Sequence, residues 1–256
     1  MTAPLPRGAL AAPVHPPPGP RPARLPLMRK VEVACLLPDG REAEVGRLVP
    51  ALPAFEQAFA GFARGTVLAS DRGPVAVEDL WPGDRLKVAP HRWETLLWRG
   101  STMVVPDGAR GLQDPAMTRL TRVAADALGI ARPAQDVLLG PHGRVAHRGP
   151  GVRALTGRDA AFVPAADLVD GEGVAAVAPQ APVQVFHLGL AGHERLLAAG
   201  LEVESCHPGP LHALGLRGEL LDLYLSCFPH LADLGGFGPP DLPRLRLRDL
   251  DLFDVA

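Results

Sequence analysis

Residues 61–88 contain short apolar runs separated by turn-forming residues, and this pattern constrains the fold more than any other part of the sequence. The runs are Thr66–Ala69, Val75–Val77 and Arg85–Val88. Ser-Asp-Arg-Gly-Pro separates the first two, and Trp-Pro-Gly-Asp precedes the third. In such turns proline presets φ and glycine tolerates positive φ. The pattern therefore predicts short antiparallel strands joined by tight turns.

Turn-forming residues recur along the chain, which has 29 prolines and 28 glycines among its 256 residues. Many of them interrupt short apolar runs, and a hydrophobic content of 47% is ample for a packed core. We therefore expect an all-β fold with many turns. Apolar residues at helical spacing predict a short helix within 51–62, a second helix over 117–128, and a C-terminal amphipathic helix over 211–228.

The sequence predicts four consecutive parts. Residues 1–27 form a proline-rich tail that we expect to be disordered, because it has little apolar surface to bury. The alternative interpretation is that residues 1–27 are an over-extended start of the sequence, since Met28 begins the first strand-like run. A leading β-hairpin and linker (28–54), a β domain (55–210) and a C-terminal helical extension packed on that domain (211–256) follow.

Residues 61–88 resemble the opening of a Hint domain, the fold shared by Hedgehog autoprocessing domains and inteins. The family strand begins Cys-Phe-x-x-Gly-Thr and is followed by an Asp-Leu and a Pro-Gly-Asp phrase. The matching residues are Phe62, Gly65, Thr66, Gly73, Val77, Asp79, Leu80, Pro82, Gly83 and Asp84. Segments 136–145, 161–174 and 183–205 also resemble family blocks, in the same order. The resemblance implies a disc of short curved β-strands and hairpins.

The residues that carry the family's chemistry are absent at the matching positions. In the family a cysteine attacks the preceding carbonyl, and a histidine protonates the leaving amine. Gly61 stands in place of the cysteine and Gly143 in place of the histidine, while Gly140 replaces a serine. Without a nucleophile, general acid–base help has no step to accelerate. We therefore expect a catalytically silent Hint-fold protein that acts as a binding or structural module.

Residual autoprocessing with a displaced site is the first alternative. His142 lies one residue before Gly143, where strand alternation would direct it to the opposite face unless a bulge re-aims it. Cys206 resembles the downstream nucleophile of inteins, although Ser205 stands where inteins place asparagine. His142 and Cys206 are therefore the fallback catalytic candidates.

A metal-dependent hydrolase built on His187, His193 and Cys206 is the second alternative, but their spacing matches no metal-binding signature. We expect no metal and no cofactor. His187 alternates with Phe186 and Leu188, which predicts that it lies on a polar face. The residues that we expect to surround a pocket are Thr66, His187, His193, Glu194 and His207.

Charge and cysteine content limit which partners and which cellular compartment we expect. A net charge of −2 gives no reason to expect nucleic acid, and no apolar run is long enough to predict a membrane span. Prolines break the N-terminal apolar residues, so we expect no secretory signal. Three cysteines predict reduced thiols in the cytoplasm, with Cys35 a core residue. An unidentified protein partner is expected, and the oligomeric state is left open.

Overall fold

The computed structural model describes residues 27–106 and 115–250, so residues 1–26 of the expected tail lie outside the described part. The strands are β1 Met28–Leu36, β2 Glu42–Pro50, β3 Phe62–Ala63, β4 Val67–Ser70, β5 Gly73–Ala76, β6 Arg85–Val88, β7 Arg92–Thr95, β8 Trp98–Val104, β9 Leu120–Val123, β10 Val137–Leu139, β11 Arg144–His147, β12 Ala161–Pro164, β13 Val174–Val177, β14 Val183–Gly189, β15 Arg195–Ala198 and β16 Leu201–Glu204. The helices are α1 Pro53–Phe59, α2 Pro150–Thr156, α3 Leu211–Leu214, α4 Glu219–Leu225 and α5 Leu247–Leu250. This confirms the all-β class, with a short N-terminal helix and a C-terminal helical segment.

Two antiparallel sheets form the body. The first has the order β13-β9-β10-β3-β14-β8-β1-β2, and the second has the order β12-β11-β16-β15-β4-β6-β7, with β5 paired to β4. The expected hairpins β1–β2 and β4–β5 are both present. In the described ranges, no helix is long and apolar enough to cross a membrane.

One core joins the two sheets. It contains buried residues of the first sheet, such as Phe62 and Phe186, together with Leu68, Leu86 and Val203 of the second. Each strand contributes its inward-facing side chains, because successive residues alternate between the two faces of a sheet. The short strands are therefore stabilised mainly by this shared apolar contact.

A second core joins the leading hairpin to the C-terminal segment. Val33 and Cys35 of β1 pack with Phe55 of α1 and with Phe228, which follows α4. Trp98 lies in this core, stacks on Phe228 at a centroid distance of 4.7 Å, and donates a 2.8 Å hydrogen bond from Nε1 to the Cys227 carbonyl. The core position of Cys35 is confirmed, and the three cysteines are free thiols. The leading hairpin and the segment around α4 thus stabilise the same flank.

One predicted helix is wrong, and another is interrupted. The segment predicted as a helix over 117–128 forms a 3-10 turn at Pro115–Thr118 and then strand β9, which pairs with both β10 and β13. The single helix expected over 211–228 is divided into α3 and α4. Gly215 and Gly218, which lie between them, both have positive φ. Local apolar spacing did not reveal either the sheet partners or the glycine-dependent break.

Candidate functional site

The peptide bond between Ala60 and Gly61 lies at the junction of α1 and β3. Ala60 is fully buried, and the Gly61 N–H donates a 2.9 Å hydrogen bond to the Phe186 carbonyl. Strand β3 is held between β10 and β14, which fixes the position of this peptide in the first sheet. It is the position at which the sequence resemblance places the nucleophile and the carbonyl it attacks.

His187 occupies the space beside Gly61. A Cβ atom built on Gly61 would lie 2.6 Å from His187 Cδ2 and 2.9 Å from Nε2, closer than real Cβ contacts. The ring is 2% exposed, so the prediction of a polar-face histidine is wrong. The pairing of Phe186 with Phe62 brings the next residue of β14 beside Gly61.

The His187 imidazole is a neutral group held in one orientation. Its Nδ1 lies 3.1 Å from the Gln57 carbonyl, which can only accept, so Nδ1 carries the proton. Burial lowers the pKa of His187 to about 4, because the charged ring would lose its hydration. Its Nε2 faces Gly61, where no side chain is present to give up a proton.

Gly140 and Gly143 pack their backbones against the Ala60–Gly61 peptide and the peptide that follows it. The Gly140 N–H donates a 2.9 Å hydrogen bond to the Gly61 carbonyl. A Cβ atom on Gly140 would collide with the Ala60 carbonyl oxygen, and one on Gly143 would lie 2.5 Å from the Gly61 oxygen. Both positions are therefore closed to any larger residue unless the backbone moves.

His142 lies in the turn between β10 and β11. Its backbone N–H donates a 2.9 Å hydrogen bond to the Ala60 carbonyl. Because the residue belongs to a turn, strand alternation does not decide which way it faces. A backbone donor on a carbonyl can stabilise an oxyanion if one forms there. The structure thus supplies one element of acyl-transfer chemistry at this peptide, through the backbone of His142.

A buried ionic cluster is centred on Glu204, the last residue of β16. The Glu204 carboxylate is 2.8 Å from Arg244 Nε, 3.3 Å from Arg144 Nη1 and 3.1 Å from His193 Nε2. Burial alone would raise the pKa of Glu204, but His193 and the two guanidinium groups hold it well below its usual range. Glu204 is 1% exposed, so the cluster depends on these partners.

His193 and His207 are brought together beside this cluster, with ring centroids 4.5 Å apart. His207 Nδ1 accepts a hydrogen bond from the Gly209 N–H, and its Nε2 lies 3.1 Å from the Gly238 carbonyl. Burial, followed by the neighbouring His193, lowers the pKa of His207 to about 4. Both ring nitrogens of His207 are used within the fold, which indicates a role in packing.

The remaining candidates have other partners. The Thr66 hydroxyl donates to the Leu138 carbonyl, and Glu194 binds the guanidinium of Arg92 with both oxygens at 2.8 Å. Cys206 is buried and lies 3.7 Å from the Ala58 carbonyl, and burial raises the pKa of its thiol. These contacts do not bring Thr66, Glu194 and His187 into one shared pocket.

No group of three or more His, Cys, Asp or Glu side chains that could hold a metal ion occurs among the residues described. Arg244 is a site residue that the sequence did not reveal, because it follows a proline-rich stretch and belongs to no recognisable motif. In the structure it reaches both Glu204 and the His207 carbonyl. The contact between Arg244 and Glu204 joins residues forty positions apart in the sequence, so no local pattern could predict it.

The fold is a two-sheet β domain with a buried peptide at Ala60–Gly61, and the glycine positions around that peptide leave no space for larger side chains. The family model described as the Hint domain matches residues 60–210, and the chain belongs to this family. A bacterial intein-like domain from Clostridium thermocellum, solved in solution, is similar at 14% identity and a TM-score of 0.39. That match covers 57% of this chain and 98% of the intein-like domain. No curated protein matches the chain.

Proposed function

We propose that this chain is a catalytically silent Hint-fold protein that acts, uncleaved, as a binding or structural module. The observation that carries the proposal is the contact between His187 and Gly61. The volume that a nucleophilic side chain would need is filled by a buried imidazole ring, with a built Cβ only 2.6 Å from Cδ2. The site lacks the reacting atom and has no room for it.

The packing of Gly140 and Gly143 supports the same conclusion. In an autoprocessing site, side chains next to the scissile peptide deliver and remove protons. Here the Gly140 backbone approaches that peptide so closely that a Cβ on Gly140 would collide with the Ala60 carbonyl oxygen, and a Cβ on Gly143 would lie 2.5 Å from the Gly61 oxygen of the next peptide. The contacts suit a peptide bond that is buried and kept intact.

The residues before Gly61 are an integral part of the fold, which favours a role for the uncleaved chain. Strand β1 pairs with β8 over Glu32–Cys35, and the hairpin and α1 form the second core with the C-terminal segment. Separation of residues 1–60 would therefore expose Phe55, Phe59 and Trp98, which are now almost fully buried. A fragment cut at this point would remain bound, so a test of cleavage requires denaturing conditions.

Intact mass measured under denaturing conditions tests the proposal. The purified full chain is incubated with and without dithiothreitol or hydroxylamine, which cleave thioesters and esters. We expect one mass, that of the full chain, under every condition. A fragment ending at Ala60 would contradict the proposed absence of catalysis. A native gel alone would not detect the fragment, because the two pieces would stay bound to each other.

Residual autoprocessing is the second candidate, and the hydrogen bond from the His142 N–H to the Ala60 carbonyl favours it. Such a donor would polarise the carbonyl toward attack. Cys206 is the other candidate group, but its buried thiol has a raised pKa and little thiolate character. Cleavage that persists in Cys206→Ala would exclude this thiol, and cleavage lost in Cys206→Ala but not in the buried control Cys227→Ala would assign it.

A further inference from the structure

A small pocket of about 190 Å³ opens beside β11 and β16 in the second sheet. Its wall includes Leu128 and Leu168, which are partly buried apolar residues packed against the core between the sheets, and its charged residues are Arg132, Arg148 and Glu202. None of these residues belongs to the Ala60–Gly61 site. The pocket thus combines an apolar wall with charged groups of both signs.

Glu202 is the common partner of the two pocket arginines. Arg148 Nη2 lies 2.8 Å from both carboxylate oxygens, and Arg132 Nη2 lies 3.5 Å from Oε1. Across the described ranges, no other carboxylate lies within ion-pair distance of either guanidinium. Arg132 makes its one ion pair at long range and leaves its other N–H groups available.

The charges around this pocket do not balance. Arg195 also contacts Glu202, at 3.0 Å, but it has a second carboxylate partner in Asp241 at 2.8 Å. With Arg195 matched by Asp241, Arg132 and Arg148 share the single charge of Glu202. One positive charge is therefore uncompensated. Arg132 and Arg148 are 43% and 37% exposed, so an anion can reach both of them from solvent.

We propose that this pocket binds a small monoanion made of a carboxylate and a short apolar chain. The carboxylate would contact the free N–H groups of Arg132 and Arg148, since a guanidinium matches a carboxylate in geometry. The chain would lie against Leu128 and Leu168. A volume of about 190 Å³ is below that of most drug-sized sites, which limits the chain to a few carbons. This inference does not depend on the proposed function.

Calorimetric titration of the full chain with hexanoate tests the proposal, with hexanamide as the neutral probe of the same shape. We expect hexanoate to bind and hexanamide to bind at least tenfold more weakly. In Arg132→Gln, hexanoate affinity should fall at least fivefold. The matched control is Arg122→Gln, which removes a similarly exposed arginine whose one ion pair among the described residues is with Asp136, outside the pocket. Thermal unfolding of both variants checks that they fold.

The carboxylate could belong to a free acid or to the C-terminus of a peptide. A short peptide ending in leucine, titrated as the free acid and as the C-terminal amide, separates these sources. Tighter binding of the peptide acid than of hexanoate assigns a peptide C-terminus, and the reverse assigns a free acid. The proposal fails if neither anion binds, if hexanamide binds as well as hexanoate, or if Arg132→Gln and Arg122→Gln behave alike.

Discussion

The imidazole of His187 lies so close to Gly61 that a Cβ atom on residue 61 would be 2.6 Å from the ring, and only glycine fits there without movement of the ring. Pairing of β3 with β14 creates this contact, because Phe62 is opposite Phe186 and the neighbouring residues meet beside it. The loss of the nucleophile and the position of the histidine are therefore one structural feature. We therefore expect that adding a thiol at residue 61 alone does not produce an active site.

Gly61→Cys is expected to remain uncleaved and to destabilise the protein by about 1–3 kcal/mol, because an extra side chain in a packed core forces its neighbours to move. Gly46→Cys is the matched control, since a Cβ at Gly46 meets nothing within 4 Å. Intact mass gives the cleavage result, and urea unfolding gives the free energy. Efficient cleavage of Gly61→Cys would show that the His187 ring moves aside easily. It would also show that this single substitution is sufficient for activity.

Gly140→Ala is expected to cost about 1–3 kcal/mol or more, because its Cβ meets the Ala60 backbone, which cannot rotate away as a side chain can. Gly192→Ala is the control, since a Cβ there meets nothing within 4 Å and its φ is not positive. Comparison of the two midpoints of urea unfolding checks this. Equal stability of the two variants would contradict the close packing around the Ala60–Gly61 peptide.

The sequence predicted the strands better than the site. Alternation and turn residues located the β1–β2 and β4–β5 hairpins, because both depend on neighbours in the sequence. The contact of His187 with Gly61 depends on pairing between strands more than a hundred residues apart, and alternation in β14 alone suggested a polar face. Glycines at residues 61, 140 and 143 could be identified as departures from the family. Their mutual packing could not be predicted.

Glu204→Gln is expected to destabilise the protein by about 3–5 kcal/mol, because it leaves the largely buried guanidinium groups of Arg144 and Arg244, 14% and 18% exposed, without their carboxylate. Glu32→Gln, which removes an exposed partner of Lys30, should change the free energy of unfolding by less than about 1 kcal/mol. Urea unfolding of both variants at neutral pH measures the difference. A small effect at Glu204 would mean that water reaches the cluster and replaces the lost charge.

Stability is expected to fall as the pH is lowered from neutral toward 4. His187, His207 and His230 have pKa values of about 4 in the folded chain, chiefly because of burial. In the unfolded chain a histidine has a pKa of about 6.5. Between these values the unfolded state binds more protons, so protonation favours unfolding. For His187 and His207, the loss from pH 7 to pH 5 is up to about 2 kcal/mol each.

Urea unfolding of the full chain at pH 7, 6 and 5 measures this slope. His187→Gln removes one titrating group, so its free energy of unfolding should depend less steeply on pH in this range. His212→Gln is the control, because His212 is exposed on α3 and should leave the slope unchanged. A slope that is the same in the wild type and in His187→Gln would show that His187 accepts a proton in the folded protein. In that case the ring beside Gly61 would be hydrated, and the closed site inferred from its packing would be open to water.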